Sequence, residues 1–245
     1  QLFIGYSSEQ HLAFYLRSKS IQGIGLSITN SLITVLIPRT AYLIKNDYEA
    51  YKRVISKSIN YIYIIGLPCI VGIFLLSKEL MIFLGGEEFI PASYSLQIIS
   101  ILIVVNTIGG WQINQILIPY RKEKIALNIQ IISAVISIVL NMILVPKISF
   151  IGSAIAWCIT ESMLVIMEAI AIKRECKDIR IEYITTSLKK YFVSVLCMAI
   201  PIIIIKSIVK NHILVIFMSV IIAPCIYGIS CILLKDDIAL NIFNN

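Results

Sequence analysis

Apolar residues along this chain gather into runs of roughly twenty or more, separated by short charged clusters. A helix rising about 1.5 Å per residue needs about that length to cross a ~30 Å hydrocarbon core. Seven spans are predicted, at residues 12–44, 57–78, 91–119, 124–146, 149–173, 187–208 and 211–234. The fold class is therefore all-α, a polytopic transmembrane helical bundle. The first run exceeds a perpendicular crossing, so its opening turns, with Arg17 and Lys19, are expected in the outer interface or a polar cavity. Pro38, Pro68, Pro201 and Pro224 fall inside runs and are expected to kink them. Between the first two runs, NDYEAYKRVISK (46–57) begins with Asn46 and Asp47 as capping residues and reads as a short interfacial helix on the cytoplasmic surface.

Charge fixes the expected orientation, because short cytoplasmic loops retain lysine and arginine. One side of the alternating loops holds Lys45, Lys52, Arg53 and Lys57, then Arg121, Lys122 and Lys124, then Lys173, Arg174, Lys177, Arg180, Lys189 and Lys190, with Lys235 at the tail. The other side holds Lys78, Lys147, Lys206 and Lys210, plus Arg17 and Lys19. The first side is predicted cytoplasmic, with the C-terminus inside.

Composition narrows the function classes. With 58% hydrophobic and 14% charged residues, the chain cannot clothe a water-facing surface. The net charge of +7 sits between the apolar runs rather than along a groove with exposed aromatics, which argues against a nucleic-acid partner. Cys69, Cys158, Cys176, Cys197, Cys225 and Cys231 form no C-x-x-C pair and read as small apolar fillers. With only His11 and His212 besides, no metal site of familiar spacing is expected, and no cofactor. The chain opens on Gln1, and residues 1–6 look like the tail of a preceding span without a basic signal-peptide region. A chain beginning mid-protein is the expectation that follows.

Ionisable and polar groups inside spans need a reason, since a charge at the bilayer centre costs about 2.5–3.5 kcal/mol on insertion scales. Glu161 lies near the middle of the fifth run, on one face with Ser153, Trp157, Thr160, Leu164 and Glu168. It reads either as a proton or cation relay or sugar contact, or as a structural carboxylate paired with a neighbouring helix. Glu168, nearer the cytoplasmic end, is a further candidate, with headgroup contact or local pairing as its plainer role. Thr107, Trp111, Asn114 and Gln115 form a stripe on the third run, with Gln112 at its margin. Gln130, Ser133, Ser137 and Asn141 form one on the fourth, and Ser20, Gly23, Ser27, Asn30, Ser31 and Thr34 one on the first. Any single stripe serves either a hydrophilic passage or close helix packing. Three stripes plus Glu161 favour a shared cavity. Arg39, after Pro38, either meets a phosphate or snorkels to the interface. The last two runs are nearly uniform Ile, Val, Leu, Met and Cys, as for helices facing lipid on most sides.

Several motifs in order carry a family resemblance over about 175 residues. They are IGYSSEQHLAFYLRSKSI with Phe14, Tyr15 and Lys19, VLIPRTAYL with Pro38 and Arg39, Gly66–Pro68, and Gly85 with Gly86. Gln115–Pro119 before a basic turn, Asn141–Pro146 and Gly152–Glu161 follow. The chain resembles the polysaccharide-biosynthesis oligosaccharide flippases of the Wzx or RfbX type, in the MOP exporter superfamily. The resemblance implies fourteen spans in the whole protein, of which this chain holds spans eight to fourteen. Residues 7–178 would then belong to the C-terminal lobe, and 179–245 would hold two added helices. It implies transfer of an undecaprenyl-pyrophosphate-linked oligosaccharide across the bacterial cytoplasmic membrane for O-antigen, capsule or exopolysaccharide, with H+ or Na+ as coupling ion. Membrane lipids and the N-terminal lobe of the same protein are the other implied partners.

A drug or cation antiporter of the same superfamily, and a half-protein that does not transport, are the alternatives. A membrane enzyme fits poorly, because no long outer loop or suitably placed histidine offers a convergent acid, base or nucleophile set.

Overall fold

A computed structural model describes residues 9–179, 181–183 and 186–234. Residues 1–6, Arg180, Lys235 and the C-terminal end, all of which carry expectations above, lie outside the described residues. Among the described residues every regular element is helical. They are α1 (Glu9–Asn46), α2 (Tyr48–Leu75), α3 (Ser77–Gly85), a 3-10 turn (Glu87–Phe89), α4 (Ala92–Ser100), α5 (Leu102–Gln112), α6 (Glu123–Glu175), α7 (Thr186–Ile208) and α8 (His212–Leu233). A π-helical turn, Ile113–Leu117, extends α5. Six helical stretches are long and apolar enough to cross a membrane, with α4, α5 and the π turn forming one of them.

The 53-residue α6 is two crossings. Ile148 (φ −134°, ψ 20°) and Ser149 (φ 48°, ψ −130°) leave helical geometry and divide it into limbs 123–147 and 150–175. Ser153 Oγ donates to Asn141 Oδ1 at 2.9 Å. In one straight helix these residues would stand about 18 Å apart along the axis, so the limbs fold back on each other. Gly152 permits the joint, because a Cβ there would lie 2.6 Å from the Leu144 carbonyl oxygen. With α6 counted twice, the bundle has the seven crossings that the hydropathy pattern predicts.

One element departs from expectation. Residues 46–57 do not form a separate interfacial helix: Asn46 ends α1, Asp47 caps α2, and 48–57 are the first turns of α2, which runs unbroken to Leu75. Asp47 caps it as expected, accepting from Ala50 N at 2.9 Å. With Asp47 closing α1 against α2 directly, no residues remain for an intervening turn.

Three apolar clusters hold the bundle. At the basic end, Tyr51, Ile55, Trp111, Ile116, Ile172 and Cys176 join α2, α5 and α6. At the opposite end, Phe14, Tyr15, Met81, Leu96 and Phe150 join α1, α3, α4 and α6. The third cluster seats α7 and α8 on α2 through Tyr191, Val195, Met198 and Tyr227. Close approach matters: a Cβ on Gly66 would come within 2.4 Å of Val104 Cγ2. On their outer sides α7 and α8 expose Phe192, Leu196, Ile200, Phe217 and Ile221, the surface a hydrocarbon solvent requires.

One proline is answered locally. Pro119 has no N–H for the Gln115 carbonyl four residues before it, and Tyr51 Oη donates to that oxygen at 2.7 Å. At the basic end Lys122 Nζ meets Glu175 Oε2 at 2.7 Å, tying the turn before α6 to its end. The hydrogen bond to that carboxylate holds the Lys122 ammonium above its ordinary range.

Candidate functional site

The second limb of α6 places Trp157 and Glu161 one turn apart, and α1 brings Lys19 to them. Trp157 Nε1 donates to Glu161 Oε1 at 3.0 Å. Lys19 Nζ stands 5.2 Å from the centre of the Trp157 ring, close enough for a cation–π attraction. The Tyr15 ring lies edge-on to Trp157 at 6.5 Å. Glu161 and Trp157 are half-buried and Lys19 is exposed, so the cluster opens outward from the bundle. Beside it, Asn141 Nδ2 donates to the Ser137 carbonyl at 2.8 Å while Asn141 Oδ1 accepts from Ser153. A carboxylate, an ammonium, an amide, hydroxyls and an indole face make up a set suited to sugar hydroxyls.

On the opposite face of α1, about 200° round the helix from Lys19 at Ile21, lies an apolar groove of about 630 Å³. Ile21, Gly25 and Ile28 of α1 form one wall, Pro68 of α2 another, and Met198 and Tyr227 of α7 and α8 close it. The polar cluster and the apolar groove thus occupy opposite faces of α1.

The other candidates separate into exposed and enclosed groups. On α1, Ser20, Ser27, Ser31 and Thr34 are exposed and Asn30 is half-buried. Ser27, Ser31 and Thr34 donate to carbonyls of their own helix. Arg39 is exposed near the basic end, and Arg17 stands 5.8 Å from the Phe89 ring centre at the opposite end. Asn114 is half-buried and donates to the Gly110 carbonyl at 2.8 Å.

The stripe on the third crossing faces neighbouring helices rather than an open passage. Thr107, Trp111, Gln112 and Gln115 are all fully buried. Thr107 shares a 2.7 Å hydrogen bond with Thr29, and Gln115 Nε2 donates to the Ile33 carbonyl at 3.0 Å, so this stripe fastens α5 to α1. Glu168 does not reach the headgroups either; it is fully buried against α5. The Gln112 nitrogen donates to Glu168 Oε2 at 3.0 Å and its oxygen accepts from Tyr183 Oη at 2.7 Å. Glu168 Oε1 has no partner, and among the described residues no lysine or arginine pairs with it. Sequence reasoning gave no place to Tyr183 or Tyr51, whose roles arise only when distant segments meet. The proline at 119 was the one available signal for Tyr51.

A family model described as lipid II flippase MurJ matches residues 9–223. The chain belongs to that family. A probable low-salt glycan biosynthesis flippase, Agl15, from Haloferax volcanii is 25% identical over 168 residues, covering 67% of this chain and 35% of the relative. A solved structure of lipid II flippase MurJ in an inward closed conformation superposes with a TM-score of 0.80 at 14% identity, covering 96% of this chain and 50% of that one. The chain thus spans half or less of the length of these relatives. The resemblance read from the motifs holds at the level of a lipid-linked flippase, and the family found is that of MurJ.

Proposed function

We propose that this chain is one lobe of a flippase that moves an undecaprenyl-pyrophosphate-linked oligosaccharide from the inner to the outer leaflet of the bacterial cytoplasmic membrane. The observation that carries the reading is the Lys19–Trp157–Glu161 cluster, a charged and aromatic set suited to sugar hydroxyls on a bundle that otherwise turns large apolar side chains outward. An amphiphile with a sugar head and a long polyprenyl tail needs a polar surface for the head while the tail stays against apolar helix faces. Ser137, Asn141 and Asn30 extend the polar side, and Glu161 is the group to which a coupling H+ or Na+ is assigned. Access would alternate by rocking against an N-terminal lobe of the same protein. The lysine and arginine bias supports a basic end, and a C-terminus, in the cytoplasm.

The glycan is assigned to a surface polysaccharide of the O-antigen, capsule or exopolysaccharide type, in line with the Wzx-type motifs and with the glycan-biosynthesis role of the Haloferax relative. The test is gene deletion in the source bacterium with the intact protein or its Glu161→Ala variant supplied back. Restored surface polysaccharide with the intact protein, and inward accumulation of lipid-linked sugar with Glu161→Ala, are expected. Lipid II accumulation on deletion, with surface polysaccharide unchanged, would transfer the assignment to peptidoglycan precursors. No accumulation of any lipid-linked sugar would end the flippase reading.

A further inference from the structure

A second surface lies between α1 and α2 at the basic end, where a cleft of about 590 Å³ opens. Arg39 enters it from α1, and Arg53, Lys57, Ser58 and Tyr61 enter it from α2. The α2 members recur at three- and four-residue steps, so one helix face presents them together. Among the described residues no carboxylate lines the cleft, and none of its cations makes an ion pair or a hydrogen bond. Arg53 and Lys57 also border an adjoining hollow that contains Glu49, Lys52, Lys177 and Asp178. Even there they form no ion pair: Glu49 is taken by Lys52 at 2.6 Å, and Asp178 pairs with neither Arg53 nor Lys57.

Three like charges on a concave wall beside low-dielectric surroundings repel one another and focus a positive field. Only an anion relieves that arrangement. Ordinary loop charge would splay into water, whereas these side chains converge from two helices onto one space. The cleft is also distinct from the sugar-facing cluster: Lys19 and Arg39 are twenty residues apart, which turns them about 200° from each other around α1.

We propose that Arg39, Arg53 and Lys57 form a binding site for the phosphate of an anionic lipid headgroup. Basic pockets between transmembrane helices on the cytoplasmic side take such headgroups. The guanidinium forks of Arg39 and Arg53 offer bidentate donors to phosphate oxygens, Lys57 adds a point charge, and the Tyr61 hydroxyl stands in the same wall. Two sources share this chemistry, a bilayer phospholipid and a polyprenyl pyrophosphate.

The test is calorimetric binding to the intact protein in neutral detergent micelles, with dihexanoyl phosphatidylglycerol and farnesyl pyrophosphate as probes and dihexanoyl phosphatidylcholine as the neutral control. The combined Arg39→Gln, Arg53→Gln, Lys57→Gln variant should bind the anionic probes about tenfold more weakly or worse. Lys124→Gln, a charge lost from the same end but outside the cleft, should bind as the parent does. Tighter binding of phosphatidylglycerol names the bilayer lipid as occupant, and tighter binding of the pyrophosphate names the carrier; both support the site. Parent protein that ignores both anionic probes, or a combined variant that loses no more than Lys124→Gln, overturns it. Should the combined variant not fold, Arg53→Gln alone, at an exposed position, should still weaken binding about threefold, with Arg53→Lys restoring most of it. Transport is not the readout, so the site stands or falls separately from the flippase reading.

Discussion

Glu161 and Glu168 lie seven residues apart on the same limb of α6, within about 20° of each other around the helix, yet they occupy opposite kinds of surroundings. Glu161 is half-exposed and shares its carboxylate with the Trp157 indole, with the Lys19 ammonium over the same ring. Glu168 is fully buried under Tyr183, with Gln112 on one oxygen and nothing on the other. An acid of the first kind can exchange an ion or a ligand with its surroundings. An acid of the second kind is joined to the packing of α5 against α6. Helical periodicity alone assigns both to one face; the segment after α6, which returns to cover the lower turns, separates them.

Substitutions at each site should pull the two regions apart. Glu168→Lys is the harshest, since it forces an unpaired cation into a buried site at a cost of about 3–5 kcal/mol. Loss of folded protein on detergent-solubilised gel filtration is expected, whereas Glu168→Gln, which keeps the shape, should elute as the parent does. Glu161→Ala should reduce glycan export by about tenfold or more, the scale of losing one charged contact, with unfolding temperature in detergent unchanged. A fall in stability at Glu161 together with intact export would reverse the comparison. Tyr183→Phe removes the hydroxyl that the Gln112 oxygen accepts from, and should destabilise by about 1 kcal/mol, measurable as a lower midpoint of thermal unfolding. Trp157→Phe deletes the indole donor to Glu161 but keeps a ring beneath Lys19; an effect of about 0.5–1.5 kcal/mol on ligand binding is expected, with stability unmoved.

The crossings were legible in the chain because length and apolarity alone define them, and Asp47 was legible as a cap because it directly precedes the first helical turn of α2. The division of polar stripes was not. A run such as Thr107, Trp111 and Gln115 has the same period whether it meets water or another helix, and only Thr29 and the Ile33 carbonyl on α1 decide the outcome. Of the candidate residues, Lys19 and Glu161 were named for separate reasons, and nothing in their spacing reveals that Trp157 lies between them. The interfacial helix failed for a related reason: amphipathic sequence and continuous helix are compatible, and no breaker follows Lys57 to end the first turns of α2.

The joint at Ile148 and Ser149 has a consequence for how the protein is made. Two crossings joined by so short a turn favour entry into the membrane as a hairpin, because the turn leaves little chain on the far side. Insertion as a pair, already folded against each other, keeps the Asn141 amide oxygen and the Ser153 hydroxyl on one another rather than on hydrocarbon. A longer turn here would let the limbs insert separately and expose Asn141 during synthesis, so the yield of inserted protein, rather than its activity, is where such a change would first be felt.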